Sequence, residues 1–326
     1  MKNPIACFVA VCAACLAFVF AGRAADAAEW PSRPVRIVNT FAPGGAADIL
    51  ARMAAEQLTK TFGQQFYVET RAGAGGVIGV DTVAHAEPDG YNFVITTLSL
   101  TAINPLINSK IGYDPFKDLT HVAYLAGSPI VFLVGARSSI KTLPDFVAKA
   151  KTSSKPLTYG VSGLASAGQM VAESFAQLAG LKFQVVPYKG ASQSQLDLVA
   201  GNIDFATPTV TSAAGQLQGG TVTPLAHTGS ARLPDYPNVA TFKELGYDLV
   251  ATNWFGLAGP AGLSEDIVRK VNAAINTGMT LPANQQRIRQ DGMIIDPMDA
   301  AAFDTFVHNE AVRWKPVILK AGIKIE

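Results

Sequence analysis

Side chains that commonly carry out chemistry are few and widely spaced in this sequence. No two histidines form an HxH or HxxxH pair, the spacing that lets two imidazoles share one metal ion. The histidines are His85, His121, His227 and His308. All three cysteines lie within the first 15 residues, so the rest of the chain offers neither a thiol nucleophile nor a thiolate ligand. We therefore predict no metal site and identify no catalytic residue.

Two short patterns resemble enzyme motifs without completing them. Gly160-Val161-Ser162-Gly163 begins like the G-x-S-x-G turn of hydrolases, but Leu164 stands where the second glycine is required. The glycines of residues 73–79 follow a predicted strand, but their spacing is not the G-x-G-x-x-G of dinucleotide sites. We predict no cofactor, and an exported hydrolase remains one alternative function.

A different chemistry is indicated where the apolar strand Val35–Thr40 ends in Pro43-Gly44-Gly45 and a helical pattern begins at once. Glycine permits backbone with positive φ and leaves no Cβ in the way of a ligand. The first turn of the following helix has unpaired N–H groups and the positive end of the helix dipole. Residues 43–48 therefore favour binding of an anion such as a carboxylate by the main chain.

A second glycine cluster, Gly73-Ala74-Gly75-Gly76, follows the next strand and opens the next helix. Parallel strands end at the same edge of a sheet, where open α/β folds bind their ligands. Three more loops rich in Ser, Thr or Gly follow predicted strands, at residues 97–101, 162–166 and 187–190. The predicted ligand-binding residues are Pro43, Gly44, Gly45, Ala46, Ala47, Asp48, Ala72, Gly73, Ala74, Gly75, Ser99, Thr101, Ser162, Ser166, Tyr188, Lys189 and Gly190.

The side chains near these loops leave alternatives open. Asp48 is favourable in the first turn of a helix. Near a bound anion its negative charge would repel the ligand. We therefore expect that Asp48 either accepts a hydrogen bond from a ligand N–H or O–H group or holds a loop in place. Arg52, one turn later, is the expected ion-pair partner of Asp48. Tyr188 and Trp254 either wall the pocket or belong to the core.

The beginning of the chain has the pattern of an export signal. Lys2 precedes an apolar run from Ile5 to Phe20, and Ala25-Asp26-Ala27 fits the small-x-small cleavage rule. We expect residues 1–27 to be removed in export, with lipidation at Cys15 or a retained anchor as alternatives. This removal takes two of the 26 basic and one of the 25 acidic residues, and leaves 24 of each. A neutral chain without basic runs disfavours nucleic acid as a partner.

Strands and helices alternate along the chain, which predicts sheets with parallel strands covered by helices. At 326 residues the chain has room for about two domains. Gly127-Ser128-Pro129, between two apolar strands, is the predicted first crossing into a second domain, and the chain returns near residues 248–253. The predicted division is lobe 1 at 28–127 plus 249–326, and lobe 2 at 128–248.

The chain resembles the Bug-type solute receptors, the periplasmic substrate-binding proteins of tripartite tricarboxylate transporters. The resemblance extends in order over the whole chain after residue 27. The motifs that carry it are Pro-Gly-Gly-x-x-Asp-x-x-Ala-Arg at 43–52, Gly-Ala-Gly-Gly-x-Ile-Gly at 73–79, Pro-Asp-Gly-Tyr at 88–91, Ala-Ile-Asn-Pro at 102–105, Tyr-Asp-Pro at 113–115, Val-Pro-Tyr-Lys-Gly at 186–190 and Trp-Phe-Gly at 254–256.

This resemblance implies the two-lobed Venus-flytrap fold of type II periplasmic binding proteins, with two hinge crossings. It also implies a carboxylated solute, held by the backbone of residues 43–48 and 71–76, and a membrane permease as partner. Ala72 stands where the family usually has proline, and Gln169-Met170 replaces the common His-Leu. We expect a monomeric, non-enzymatic receptor for a di- or tricarboxylate, an amino acid or an aromatic acid. A sensor that hands its loaded form to a signalling protein is the other alternative.

Overall fold

Two β-sheets form the centres of two lobes. The computed structural model describes residues 29–41, 43–108, 110–188, 190–290 and 292–323. The predicted signal segment and Lys189 lie outside these residues. The strands are β1 (Val35–Asn39), β2 (Phe66–Thr70), β3 (Asn92–Thr97), β4 (Leu119–Pro129), β5 (Val131–Gly135), β6 (Leu157–Val161), β7 (Phe183–Pro187), β8 (Phe205–Ala206), β9 (Val222–His227) and β10 (Thr252–Pro260).

Helices cover both sheets. They are α1 (Ala46–Phe62), α2 (Val77–Ala84), α3 (Asn104–Ile107), α4 (Leu143–Thr152), α5 (Ala167–Ala179), α6 (Ala191–Ala200), α7 (Val210–Gln218), α8 (Glu265–Met279), α9 (Pro282–Gln290) and α10 (Ala300–Ala321). A 3-10 turn (Ala74–Gly76) precedes α2, and a π-helical turn (Ser99–Ile103) follows β3. We call the first sheet with α1–α3 and α8–α10 lobe 1, and the second sheet with α4–α7 lobe 2.

Both sheets combine parallel and antiparallel strands. In lobe 1 the order is β2-β1-β3-β10-β4, with β1 parallel to β2 and β3, and β10 antiparallel to both of its neighbours. In lobe 2 the order is β7-β6-β8-β5-β9, with β6 parallel to β7 and β8. The predicted two-lobed α/β fold is confirmed. The loops after β1, β2 and β3 leave one edge of their sheet, and those after β6, β7 and β8 leave one edge of the other.

The first crossing between the lobes is shorter than the sequence indicates. We expected the strand to break at Gly127-Ser128-Pro129, but β4 continues to its end at Pro129, and only Ile130 separates it from β5. The reason is pairing with β10, which aligns Trp254 with Gly127 and Thr252 with Pro129. Pairing with β10, a strand of the same chain that is distant in sequence, thus outweighs the turn preference of the Gly-Ser-Pro sequence.

Thr228, which follows β9, ties the two crossings together. Its Oγ1 accepts a hydrogen bond from the Ile130 amide at 2.9 Å and donates one to the Ala251 carbonyl at 2.5 Å. Its backbone bonds the same two residues. Thr228 is fully buried, so these bonds have no competition from solvent.

The apolar core continues from one lobe into the other. Helix α10 contributes Phe303 and Ile318 to the same cluster as Phe175 of lobe 2, and the Gln177 amide reaches the Val317 carbonyl at 3.4 Å. Trp254 is fully buried in this cluster. Trp254 is therefore a core aromatic and does not wall a pocket.

Local sequence gives little signal for helices α7 and α9. Helix α7 is composed of Ser, Thr, Gly, Gln, Ala and only two larger apolar residues, so its periodicity is weak. In α9 the one buried side chain is Ile288, and the remaining residues are polar or small. Among the described residues, none of the helices has both the length and the hydropathy that crossing a bilayer requires.

Candidate functional site

The loop after β1 has the open backbone expected of an anion site. Pro43, Gly44 and Gly45 are exposed, and Gly45 caps the start of α1 without a side-chain hydrogen bond. Gly44 takes positive φ, at 84°. Gly45 does not, since its φ is −84°, so what it contributes to the open loop is the missing Cβ. Ala46 and Ala47 form the first turn of α1, where amide groups lack helical partners.

Asp48 holds this loop in place. It is 5% exposed, and its Oδ2 accepts hydrogen bonds from the Gly44 amide at 3.0 Å and from Arg52 Nε at 3.1 Å. Asn39 donates to its Oδ1 at 3.4 Å. Burial by itself would raise the pKa of Asp48, but the Arg52 and Gly44 hydrogen bonds and the charge of Arg52 outweigh it and lower that pKa. These contacts support the loop-holding role that the sequence left open.

The loop after β2 is built from residues with positive φ. Gly73, Gly75 and Gly76 have φ of 149°, 67° and 101°, and Ala74 has a φ of 48°, which is uncommon for a residue with a Cβ. Ala72, Ala74 and Gly75 are exposed. Four successive residues of this kind turn the chain sharply and leave amides along the loop.

The two glycine loops lie side by side. The Arg71 amide donates to the Asn39 carbonyl at 2.9 Å, and β1 and β2 remain in register up to Asn39 and Thr70. A Cβ added to Gly76 would meet Thr40 at 3.3 Å. The helix α2 therefore approaches β1 closely, and the two loops leave the sheet next to each other, as predicted for one edge.

The loop after β3 brings fewer of its predicted ligand-binding residues to the surface than expected. Thr101 is fully buried, and its hydroxyl donates to the Thr97 carbonyl at 2.9 Å. Thr101 therefore does not reach the surface that the glycine loops share, because the π-helical turn directs it inward. Ser99 is half-buried, and its hydroxyl donates to the Ala165 carbonyl of lobe 2 at 3.3 Å. This bond brings the β3 loop to the 162–166 loop.

In lobe 2 the loop after β6 ends at the N-terminus of α5. Ser162 is exposed, and Ser166 caps α5 by accepting a hydrogen bond from the Gln169 amide at 3.4 Å. The buried Gln169 side chain accepts from the Ala165 amide at 2.8 Å and so shapes the loop. Ala165 takes a φ of 61°. Gln169 was noted only as a departure from a family pattern, but it holds this turn.

The loop after β7 contains a locked tyrosine. The Tyr188 hydroxyl donates to Asp197 at 2.6 Å, and burial together with this carboxylate raises the pKa of Tyr188 to about 12. Tyr188 is therefore neutral at physiological pH. Gly190 precedes α6 with a φ of 154°.

Sequence reasoning missed Thr207, directly after β8. Thr207 is 3% exposed, and its Oγ1 has no hydrogen-bond partner among the described residues. A Cβ added to Gly168, in the first turn of α5, would overlap the Thr207 carbonyl oxygen. Thr207 thus lies against the same helix start as Ser166. A polar residue following a two-residue strand gives little sequence signal.

The described residues contain no cluster of three His, Cys, Asp or Glu side chains that could hold a metal ion. His121 and His227 are buried separately, and burial lowers the pKa of His121 to about 4. His85 and His308 are exposed. The chemistry that this arrangement supports is recognition by backbone amides and hydroxyl groups at facing loops.

Comparison with known proteins identifies the family to which this chain belongs. The family model described as "Tripartite tricarboxylate transporter family receptor" matches residues 50–323. BugT of Bordetella pertussis is 29% identical over 92% of this chain and 93% of its own. The structure of R. palustris Rpa4515 with adipate has a TM-score of 0.81 and 31% identity, covering 91% of this chain and 99% of that one.

A second solved structure, MatC from Rhodopseudomonas palustris with bound malate, has a TM-score of 0.76 and 29% identity over 89% of this chain and all of that one. The family match covers most of the chain, and the structural likeness covers both lobes. This chain belongs to the receptor family of tripartite tricarboxylate transporters and is a periplasmic solute-binding protein.

Proposed function

We propose that this receptor binds a small carboxylate between its lobes and delivers it to a membrane permease. One carboxylate group of the ligand lies against residues 43–48 and 72–75 of lobe 1. Ser162, Ser166, Tyr188 and Gly190 of lobe 2 contact the rest of the molecule, with Ser99 at the junction. The observation that carries the proposal is the side-by-side exit of two exposed glycine loops from neighbouring parallel strands.

Main-chain amides suit this task because the basic side chains near the loops are already engaged. Arg52 pairs with Asp48 at 3.1 Å, and Arg71 pairs with Glu69. A charge-assisted hydrogen bond contributes about 1.5–3 kcal/mol, so several such bonds allow micromolar binding after the cost of ordering the ligand. Adipate in Rpa4515 and malate in MatC support a carboxylate as the ligand class.

The family and the sequence support the remaining parts of the proposal. Residues 1–27 direct export and are removed, and the receptor acts in the periplasm as a monomer without catalysing a reaction. The family name supports a tripartite permease as the partner. Closure of the lobes takes place at the two crossings, whose proposed boundaries are residues 127–128 and 248–249.

A melting-temperature screen of the purified protein against mono-, di- and tricarboxylates tests ligand binding. A ligand present at 100 times its dissociation constant adds about 2.7 kcal/mol to the free energy of unfolding.

Gly45→Val should abolish the ligand-induced shift in melting temperature and leave the fold intact, because φ at Gly45 is ordinary and the new side chain fills the anion's space. Gly215→Ala, at an exposed helical glycine where an added Cβ meets nothing within 4 Å, should keep the shift. Unchanged binding in Gly45→Val would remove this loop from the site.

A further inference from the structure

A cavity lies outside the glycine loops, between a lobe 2 segment and a lobe 1 segment. Its volume is about 250 Å³. Lobe 2 contributes residues 233–236, which follow β9, and lobe 1 contributes one side of α9 and residues 292–295. None of the residues proposed above for the carboxylate site lines it.

The walls of this cavity are mainly apolar. Leu233 and Met293 are buried, and Tyr236, Ile294 and Ile295 are half-buried. An apolar cavity of about 150 Å³ in another protein is large enough to bind benzene. The present cavity therefore has room for a benzene ring together with a short side chain.

One cation at this cavity, Arg289, has no counter-charge within 4.0 Å among the residues that the structure describes. Arg289, in the last turn of α9, makes no ion pair or side-chain hydrogen bond with any residue that the structure describes. Asp235 lies on the opposite wall, but no ion pair within 4.0 Å joins it to Arg289 in the described chain. A carboxylate at Arg289 would gain a charge-assisted, bidentate pairing. A second carboxylate on the same ligand would bring like charge towards Asp235, which disfavours a dianion.

The cavity adjoins the end of β4, where the chain passes from lobe 1 into lobe 2. The Gly127 and Ile294 backbones exchange hydrogen bonds of 2.9 and 2.7 Å. Ser128 Oγ donates to the Gly292 carbonyl at 3.2 Å and accepts from the Thr211 hydroxyl of lobe 2 at 2.8 Å. A ligand that touches residues 233–236 and 292–295 together therefore contacts both lobes next to their connection.

We propose that this cavity is a second ligand site, which takes a small monocarboxylate with an apolar body and stabilises the lobe arrangement of this structure. Because the ligand contacts both walls, it favours the arrangement in which the walls are close enough to enclose it. The site differs from the interlobe carboxylate site in position and in ligand class, and it does not depend on the function proposed above.

Calorimetric titration with phenylacetate tests the site. Arg289→Gln should weaken binding at least tenfold, and Gln285→Trp, which fills the cavity from α9, should abolish it. Arg287→Gln, on the same helix but outside the cavity, should leave binding unchanged. The uncharged 2-phenylethanol and the dianion phenylmalonate should each bind at least tenfold more weakly than phenylacetate.

Gly45→Val separates this proposal from the previous one. Phenylacetate should bind Gly45→Val as it binds the unchanged protein. If phenylacetate binding is lost in Gly45→Val, or survives both Arg289→Gln and Gln285→Trp, the ligand occupies another place and the proposed second site is wrong. Absence of binding at millimolar phenylacetate would also overturn it, whatever the carboxylate screen shows.

The effect on the lobes needs a distance measurement. A chain starting at Ala28 contains no cysteine, so spin labels can be placed at Tyr67→Cys in lobe 1 and Leu196→Cys in lobe 2, both exposed positions. Saturating phenylacetate should narrow the distribution of label distances, and Gln285→Trp should remove its response to phenylacetate. An unchanged distribution with bound phenylacetate would contradict the proposed coupling.

Discussion

The carboxylate of Asp48 and the amide of Gly44 are joined by a 3.0 Å hydrogen bond, which closes the glycine loop onto the first turn of α1. Gly44 itself is exposed, whereas Asp48 is buried. The loop that is proposed to contact the ligand is thus held in place by the buried carboxylate of Asp48, which also forms an ion pair with Arg52.

Removing the Asp48 side chain should therefore loosen the loop. Asp48→Ala should weaken carboxylate binding about tenfold, equivalent to ~1.4 kcal/mol, because the amides are no longer pre-ordered. Asp48→Asn keeps an acceptor for Gly44 and removes a negative charge, so it should retain most of the affinity. Glu56→Ala, on the exposed face of the same helix, is the control. Calorimetric affinities that are equal for Asp48→Ala and the unchanged protein would refute the loop-holding role.

Asp48 should also contribute to the pH dependence of stability. Its folded pKa lies below its ordinary value of 3.8, so the folded state favours the charged form. The stabilisation is complete above the unfolded pKa and is lost as pH falls through the folded pKa. The difference in free energy of unfolding between the unchanged protein and Asp48→Asn should be constant from pH 5 to 7 and shrink below about 3.8. Urea titrations at several pH values would measure this difference in free energy of unfolding. A difference that increases as the pH falls below about 3.8 would contradict the prediction.

The third prediction concerns the hydrogen bonds of Thr228, which connect the two crossings between the lobes. Thr228→Val preserves shape but leaves the buried Ile130 amide without its acceptor, so the free energy of unfolding should fall by about 1–3 kcal/mol. Thr223→Val is the matched control, because the Thr223 hydroxyl has no hydrogen bond to any described residue and Thr223 is half-buried on β9. Urea unfolding should distinguish the two variants. Equal losses would mean that the tie contributes nothing specific.

Two glycines should respond oppositely to the same change. Gly168→Ala places a Cβ against the Thr207 carbonyl oxygen, so α5 must shift, at a cost of about 1–3 kcal/mol. Gly215→Ala adds a Cβ in open space within α7 and should stabilise by about 0.5–1 kcal/mol. Thermal unfolding of both variants measures the contrast. A stabilised Gly168→Ala would show that the contact of α5 with Thr207 is not tight.

Local sequence was a good guide wherever one segment decides its own geometry. Helix α1 begins directly after Gly45, as the sequence indicates, and spans Ala46–Phe62, since an apolar stripe follows Gly45 and Gly63 ends the helix with a φ of 71°. The glycine loops were likewise placed at the ends of β1 and β2. The sequence gives no signal for helix α9, because a nearly all-polar helix lacks the periodic pattern of apolar residues that predicts a helix.

The sequence by itself determined the alternation of strands and helices, the turns that need glycine and the order of motifs typical of the family. These depend on backbone sterics and short-range periodicity, which neighbouring residues carry. Only the tertiary structure decided that Trp254 is in the core, that Thr101 points inward and that Thr228 joins the two crossings. It also decided that Arg289 lines the same cavity as Leu233 without an ion-pair partner among the described residues. Each of these depends on partners far along the chain, whose positions are fixed by the packing of sheets and helices.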